Sequence, residues 1–393
     1  MKALKSVMPK VGSRRNGGDV KRLKVLNVVG ARPNFMKMAP IIEAMNRLPL
    51  SIDHKLLHTG QHYDEKMSQS FFVDLGMPRP DINLDVGSGS HAEQTAKIML
   101  EFERVCIVEK PDLVVVVGDV NSTMACTITA KKLGIRVAHV EAGLRSRDIS
   151  MPEEINRLCT DVLCDFLFTT DHIADRNLLE EGIDPKKIFF VGNVMIDTLL
   201  KHRDMASQLE LRDNMGLKPG GYATLTLHRP SNVDDRDVLN GILEAVAEIS
   251  RQMPVIFPIH PRTRKMAQKY GLEDFFNTSE KVEGIWITEP LGYLEFLHLN
   301  MGARLVLTDS GGLQEETTVL GVPCLTMRPN TERPITCEEG TNIMVGSDKE
   351  NILEQARKVL SSPPPQGQIP NKWDGHAAER IVEVLLQVHH GGC

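Results

Sequence analysis

The chain has 393 residues, with 46 Lys plus Arg against 52 Asp plus Glu, a formal net charge of −6, and 41% hydrophobic and 25% charged residues. That length exceeds what one hydrophobic core usually spans, so two domains are expected, and the composition is that of a folded globular protein rather than a disordered or collagen-like one. The acidic balance argues against a nucleic-acid partner, which would leave a basic footprint, and the longest strongly apolar run, LVVVV at 113–117, falls far short of the roughly 18 residues of a membrane-spanning helix.

Residues 1–22 read as a flexible basic tail. Eight Lys or Arg lie within residues 1–24 without an apolar h-region, so no signal peptide is expected; a polyanion-binding arm is the alternative to a bare tail. From Leu23 onward short Val/Ile/Leu-rich runs alternate with amphipathic helical stretches. The expected strands are LKVLNVV (23–29), HKLLHT (54–59), LVVVVGD (113–119), RVAHVEAG (136–143), FLFTT (166–170) and KIFFVGN (187–193). A second series comprises GYATLTLH (221–228), PVIFPIH (254–260), GIWITEP (284–290), ARLVLTD (303–309) and PCLTMR (323–328). Runs that do not alternate are buried on both faces, which predicts parallel sheets covered by helices. The fold class is therefore α/β, with two doubly wound Rossmann-like domains at 23–195 and 196–373 and a cleft between them. The Pro/Gly-rich segment 361–372 reads as a spacer, after which a helix within 374–393 docks back on the first domain. The seven cysteines form no CxxC pair and are read as reduced. A cytoplasmic location is expected.

Ligands of open parallel sheets collect at the carboxyl ends of the strands. In LVLTDSGGLQEE a strand ends at Asp309 and a helix starts after Ser310, Gly311 and Gly312. Unpaired first-turn amides and the helix dipole favour an anion there, and a diphosphate fits; equally, Ser310 can serve as a plain helix cap. Arg32, in another strand-end loop, can neutralise the same phosphates or form a surface ion pair. Asp119 and Glu141 end two successive strands, and Glu153 follows one loop later. If those strands are neighbours, the carboxylates share a small volume and suit proton abstraction and return. Structural readings compete: Ser150-Met151-Pro152-Glu153 fits a capping box, Asp119 an Asx turn, and Glu141 an i,i+4 pair with Arg145. His139, His228 and His260 stand at strand ends, as phosphate donors or as packing residues. No GxGxxG follows the first strand and no GxxxxGK[ST] occurs. His139-Val140-Glu141 lacks the downstream PCxxC of zinc deaminases, so no catalytic metal is expected.

Together, GARPNFMKMAP (30–40), TGQHYDEKM (59–67), VGDVNSTMA (117–125), HVEAGLRS (139–146), MPEEINR (151–157), GNVMIDTL (192–199), TLHRPSNVDD (226–235), LTDSGGLQEE (307–316) and MRPNTERPI (327–335) closely resemble the non-hydrolysing UDP-N-acetylglucosamine 2-epimerases. The resemblance runs from about Lys24 to the last helix. It implies a GT-B-like fold with the nucleotide sugar in the interdomain cleft, a homodimer, no cofactor, and a place in cell-surface polysaccharide biosynthesis. The reaction it implies is elimination of UDP from UDP-N-acetylglucosamine, then re-addition to a bound 2-acetamidoglucal to give UDP-N-acetylmannosamine. Carried over position by position, the catalytic carboxylates are Asp119, Glu141 and Glu153. The UDP contacts are Arg32, His228, Ser310, Gly311, Gly312, Glu316 and Arg333, with Glu316 on the ribose and His228 also catalytic, and Lys37 is a further active-site cation. Gln61, His62 and His260 stand where some relatives bind a second, activating substrate molecule. A hydrolysing 2-epimerase, a GT-B glycosyltransferase and an enzyme acting on 2,3-diacetamido uronic acid nucleotides are the alternatives.

Overall fold

The computed structural model describes residues 22–60, 76–276, 284–363 and 367–391, and of Arg32 only the backbone. Gln61 and His62, expected at a second ligand position, lie outside the described residues, as do residues 1–21 of the basic tail. Among the described residues no helix is long and apolar enough to cross a membrane.

The apolar runs form two all-parallel sheets. The first contains β1 (Leu23–Val29), β2 (Ile52–His58), β3 (Ile82–Asn83), β4 (Leu113–Val117), β5 (Arg136–Ala142), β6 (Phe166–Thr169) and β7 (Ile188–Phe190), in the order β3-β2-β1-β4-β5-β6-β7. The second contains β8 (Ala223–Thr226), β9 (Val255–Pro258), β10 (Ile285–Thr288), β11 (Leu305–Thr308), β12 (Cys324–Thr326) and β13 (Asn342–Met344), in the order β10-β9-β8-β11-β12-β13. Helices cover both faces, which is why β4, with five consecutive buried aliphatic residues, shows no alternation. This is the two-domain Rossmann-like, GT-B-like architecture expected from the sequence.

In each sheet the strand order reverses once, between β1 and β4 and between β8 and β11. Loops leave a reversal in opposite directions and open a crevice at the carboxyl ends. Strands β4 and β5 are neighbours, with Val117 opposite Val140, so the loop bearing Asp119 lies beside Glu141.

The two halves share packing through the helix Val194–Ser207, which touches the helices Arg32–Asn46, Tyr293–Gly302 and Gly311–Leu320. One buried apolar cluster accordingly mixes Met38 and Ile41 with Met195, Leu199 and Leu297. The last helix, Ala377–His389, packs on the first, with Arg47 and Glu379 paired at 2.8 Å. Its own residues supply no side-chain cap; instead Asp197, from the bridging helix, accepts the amides of Ala377 (3.1 Å) and Ala378 (2.7 Å). Asp197→Ala is therefore expected to cost about 1–2 kcal/mol, the value of a lost helix cap, and to speed proteolysis at the carboxyl-terminal helix, measurable by denaturant melts and limited digestion.

Candidate active site

The two crevices face each other across a cavity of about 430 Å³ that is lined from the first half by Lys37 and Asp119 and from the second by His228, Ser310, Glu316 and Arg333. Gly311 and Gly312 also line it. A side chain at Gly311 would place its Cβ 2.6 Å from Arg333 Nη1, so only glycine lets this arginine lie against the helix start. Ser310 is the cap residue of the helix Gly311–Leu320, yet its side chain makes no capping bond. The plain-cap reading of Ser310 thus falls, and the helix keeps its amino-terminal dipole facing the cavity.

Arg333 is the hub. Its Nη2 lies 2.6 Å from Glu141 Oε1, its Nη1 2.6 Å from Glu332 Oε1, and its Nε 2.8 Å from Glu315 Oε1. Glu141 belongs to the first half, so this ion pair crosses the cleft; its other oxygen pairs with Lys37. Arg157 carries the network further, pairing with Asp119, with Glu154 at 2.9 Å and with Glu332 at 3.8 Å. Burial pushes the Asp119 carboxyl up, but Arg157 and Lys37 outweigh it, so it lies below the usual range and is ionised at neutral pH. Burial likewise opposes ionisation of Glu332, and Arg333 and Arg328 pull it well below the ordinary carboxylate value.

Glu316 differs. Its carboxylate meets Tyr293 Oη at 3.3 Å, and burial pushes it up to about 8 despite that hydrogen bond. The folded protein then keeps a proton that the unfolded chain releases near 4.5, so this group lowers stability progressively between about pH 4.5 and about pH 8. The ligand-free protein should therefore lose thermal stability across that window, and Glu316→Gln should flatten the slope in a melting series.

His228 pairs through Nδ1 with Asp309 at 2.9 Å, and Asp309 also accepts the amides of His228 and Arg229. Its ring centroid is 5.8 Å from that of His260, which accepts the Arg262 amide on Nδ1 and so caps the helix Pro261–Tyr270.

Not every expected residue converges. Glu141 sits behind Lys37 and Arg333 rather than on the cavity wall, and Glu153 has a 37% exposed side chain whose ion-pair partner is Arg229 at 3.9 Å. The capping box at Ser150 does not form: the helix Pro152–Leu163 begins after Met151, without a side-chain cap, and Ser150 Oγ donates to Asp148. His139 is fully buried inside β5 and is no phosphate donor, and Arg145 pairs with Asp161 and Glu181, not with Glu141. Arg157, Glu315 and Glu332 were not singled out from the sequence, although each lies in or beside a quoted motif.

A family model described as UDP-N-acetylglucosamine 2-epimerase matches residues 43–386. The chain is 45% identical over 373 residues to the UDP-N-acetylglucosamine 2-epimerase of Methanocaldococcus jannaschii, spanning 92% of this chain and 99% of the relative. It is 41% identical to the UDP-2,3-diacetamido-2,3-dideoxy-D-glucuronate 2-epimerase of Pseudomonas aeruginosa, spanning 93% and 100%. The crystal structure of the M. jannaschii enzyme in complex with UDP-GlcNAc and UDP superposes with a TM-score of 0.85 at 46% identity, covering 92% of this chain and 99% of that one.

Proposed function

This chain belongs to the UDP-N-acetylglucosamine 2-epimerase family, and from that premise we propose that it interconverts UDP-N-acetylglucosamine and UDP-N-acetylmannosamine by elimination and re-addition of UDP, without hydrolysis. The observation that carries the reading is the Arg333–Glu141 pair at 2.6 Å, which puts an acid of one half against a candidate phosphate cation of the other.

In this reading the diphosphate sits on the Gly311 end of its helix with Arg333, and Ser310 and Gly312 contribute to the same pocket. Glu316 takes the ribose hydroxyls, and Lys37 faces the sugar. The C2–H of the sugar is not acidic, so its removal must be coupled to departure of the diphosphate, whose developing charge the cations and the helix dipole stabilise. A carboxylate takes the C2 proton as the C1–O bond breaks and UDP leaves with the electron pair. The 2-acetamidoglucal then receives a proton on the opposite face of C2, and a UDP oxygen closes on C1 again. Asp119 opens onto the cavity in ionised form, Glu141 stands next to it, and Glu153 is the third acid. With Nδ1 held by Asp309, His228 has Nε2 for the leaving phosphate. His260 adjoins His228, a place consistent with a neighbouring second ligand. Exposed Leu100, Ile107 and Val108 on the helix His91–Glu109, with Ile155 and Val162 on the helix Pro152–Leu163, support self-association into a homodimer.

The test is incubation of the purified protein with UDP-N-acetylglucosamine alone, followed by proton NMR. The 2-epimeric nucleotide sugar is expected; free N-acetylmannosamine with UDP would instead mark a hydrolysing enzyme. The 41% identity to the P. aeruginosa enzyme favours one second reading, a 2,3-diacetamido uronic acid nucleotide as substrate, which a parallel incubation compares by kcat/KM.

A further inference from the structure

Beneath the cleft lies a charged cluster that the chemistry above leaves unused. His139 is fully buried; its Nδ1 is 2.6 Å from Asp161 Oδ1 and its Nε2 2.9 Å from the carbonyl oxygen of Gly118. Asp161 Oδ2 accepts the Gly143 amide at 3.1 Å and pairs with Arg145 Nη1 at 2.7 Å. Arg145 in turn holds Glu181 through Nε and Nη2, at 2.8 and 2.7 Å. Gly118 immediately precedes Asp119, and Gly143 follows Glu141 by two residues. One carboxylate thus ties down both segments that carry these acids, one of them through His139.

The backbone between these ties is constrained. Glu141 holds a φ of +73°, a left-handed conformation that side-chain-bearing residues keep only when their surroundings impose it, and the β5–β6 register slips between Val140 and Ala142. Gly143 has a φ of +79° and lies against the Ala174 carbonyl, where a Cβ would come within 2.5 Å. The bend that aims Glu141 at Arg333 and Lys37 is therefore anchored on its far side by Asp161.

We propose that Asp161, acting with His139, is a positioning residue for the epimerisation, holding Asp119 and Glu141 in register with the substrate C2 without touching it. The proposal rests on the functional reading above. Buried ionic groups are costly unless every partner is present, so such a cluster close behind two acids is accounted for by the geometry it imposes on them.

Asp161→Asn and His139→Gln in the full-length chain test it, assayed with UDP-N-acetylglucosamine and its C2-deuterated form, and with UDP titration to count nucleotide-binding sites. Misplacing a reacting group by about 1 Å costs roughly 100-fold, so kcat per nucleotide-binding site should fall by about that factor in Asp161→Asn. Affinity for UDP should stay near wild type, because its anchor lies in the other half. The deuterium effect on kcat should rise in both variants as proton transfer becomes slower. A purely structural role gives another result: activity falls in step with the number of nucleotide-binding sites, and the deuterium effect keeps its wild-type value. That outcome, or unchanged kcat in both variants, overturns the proposal. A wild-type enzyme that does not epimerise sinks the functional reading and the proposal with it, whereas active wild type beside unaltered variants rejects the positioning role alone.

Discussion

Asp119→Asn and Glu141→Gln are each expected to lower kcat by roughly 10²- to 10⁴-fold, the range contributed by a positioned acid or base, while UDP still binds. Asp119 is ionised because Arg157 and Lys37 outweigh its burial; the amide cannot take a proton. Arg157 is not stranded by the change, since Glu154 and Glu332 remain beside it. In Glu141→Gln the charge removed is one that occupies Arg333 and Lys37, the cations that would otherwise serve the nucleotide and its sugar. UDP should thus bind that variant at least as tightly as wild type, and calorimetric titration beside steady-state kinetics reads both quantities. Glu153→Gln should be the mildest of the series, because its side chain is the most exposed of the three and meets only Arg229, at 3.9 Å, among the ion pairs described. Equal loss of UDP affinity and turnover would assign these carboxylates to structure rather than chemistry.

Arg333→Met should abolish UDP binding and also destabilise the fold by about 3–5 kcal/mol, the cost of removing one partner from a buried ionic group. Three carboxylates depend on this guanidinium, but unequally. Glu141 keeps Lys37 and Glu332 keeps Arg328 at 2.8 Å, whereas Glu315 has its ion pair with Arg333. Burial already pushes Glu315 up to about 7 against the pull of Arg333. The double variant Glu315→Gln/Arg333→Met should recover part of the lost stability and none of the nucleotide binding, a non-additivity that a double-mutant cycle in denaturant measures directly.

The strands of both sheets were legible because a parallel strand covered on both faces leaves a run of apolar residues between turn signals. LKVLNVV coincides with Leu23–Val29. Strands β3 and β13, of two and three residues, were not legible, since so short an edge strand carries no pattern. Of the two readings open at Glu153, the capping box fails by one residue, because the helix has Met151 as its cap and starts at Pro152. Proline fits the first helical position and fixes the boundary there, which leaves Ser150 outside it to bond Asp148 instead. His139 lies within β5, three residues before its end at Ala142, and because that strand is covered on both faces its ring meets Asp161 in the interior instead of a ligand at the carboxyl end. The acids at Asp119 and Glu141 could be named in advance because they end adjacent strands. Of the cations that hold them, Lys37 and Arg333 could be named only through the family resemblance and Arg157 not at all, because each reaches its acid only once distant segments have packed together.

Acids of the amino-terminal half and a diphosphate anchor of the carboxyl-terminal half are proposed to act on one sugar ring. The most direct measurement is NMR of UDP-N-acetylglucosamine recovered after incubation with the enzyme in heavy water. Deuterium at C2, in both the recovered substrate and its 2-epimer and lost in Asp119→Asn, is the predicted result. Protium retained at C2 while the wild-type enzyme turns the nucleotide sugar over would contradict the account.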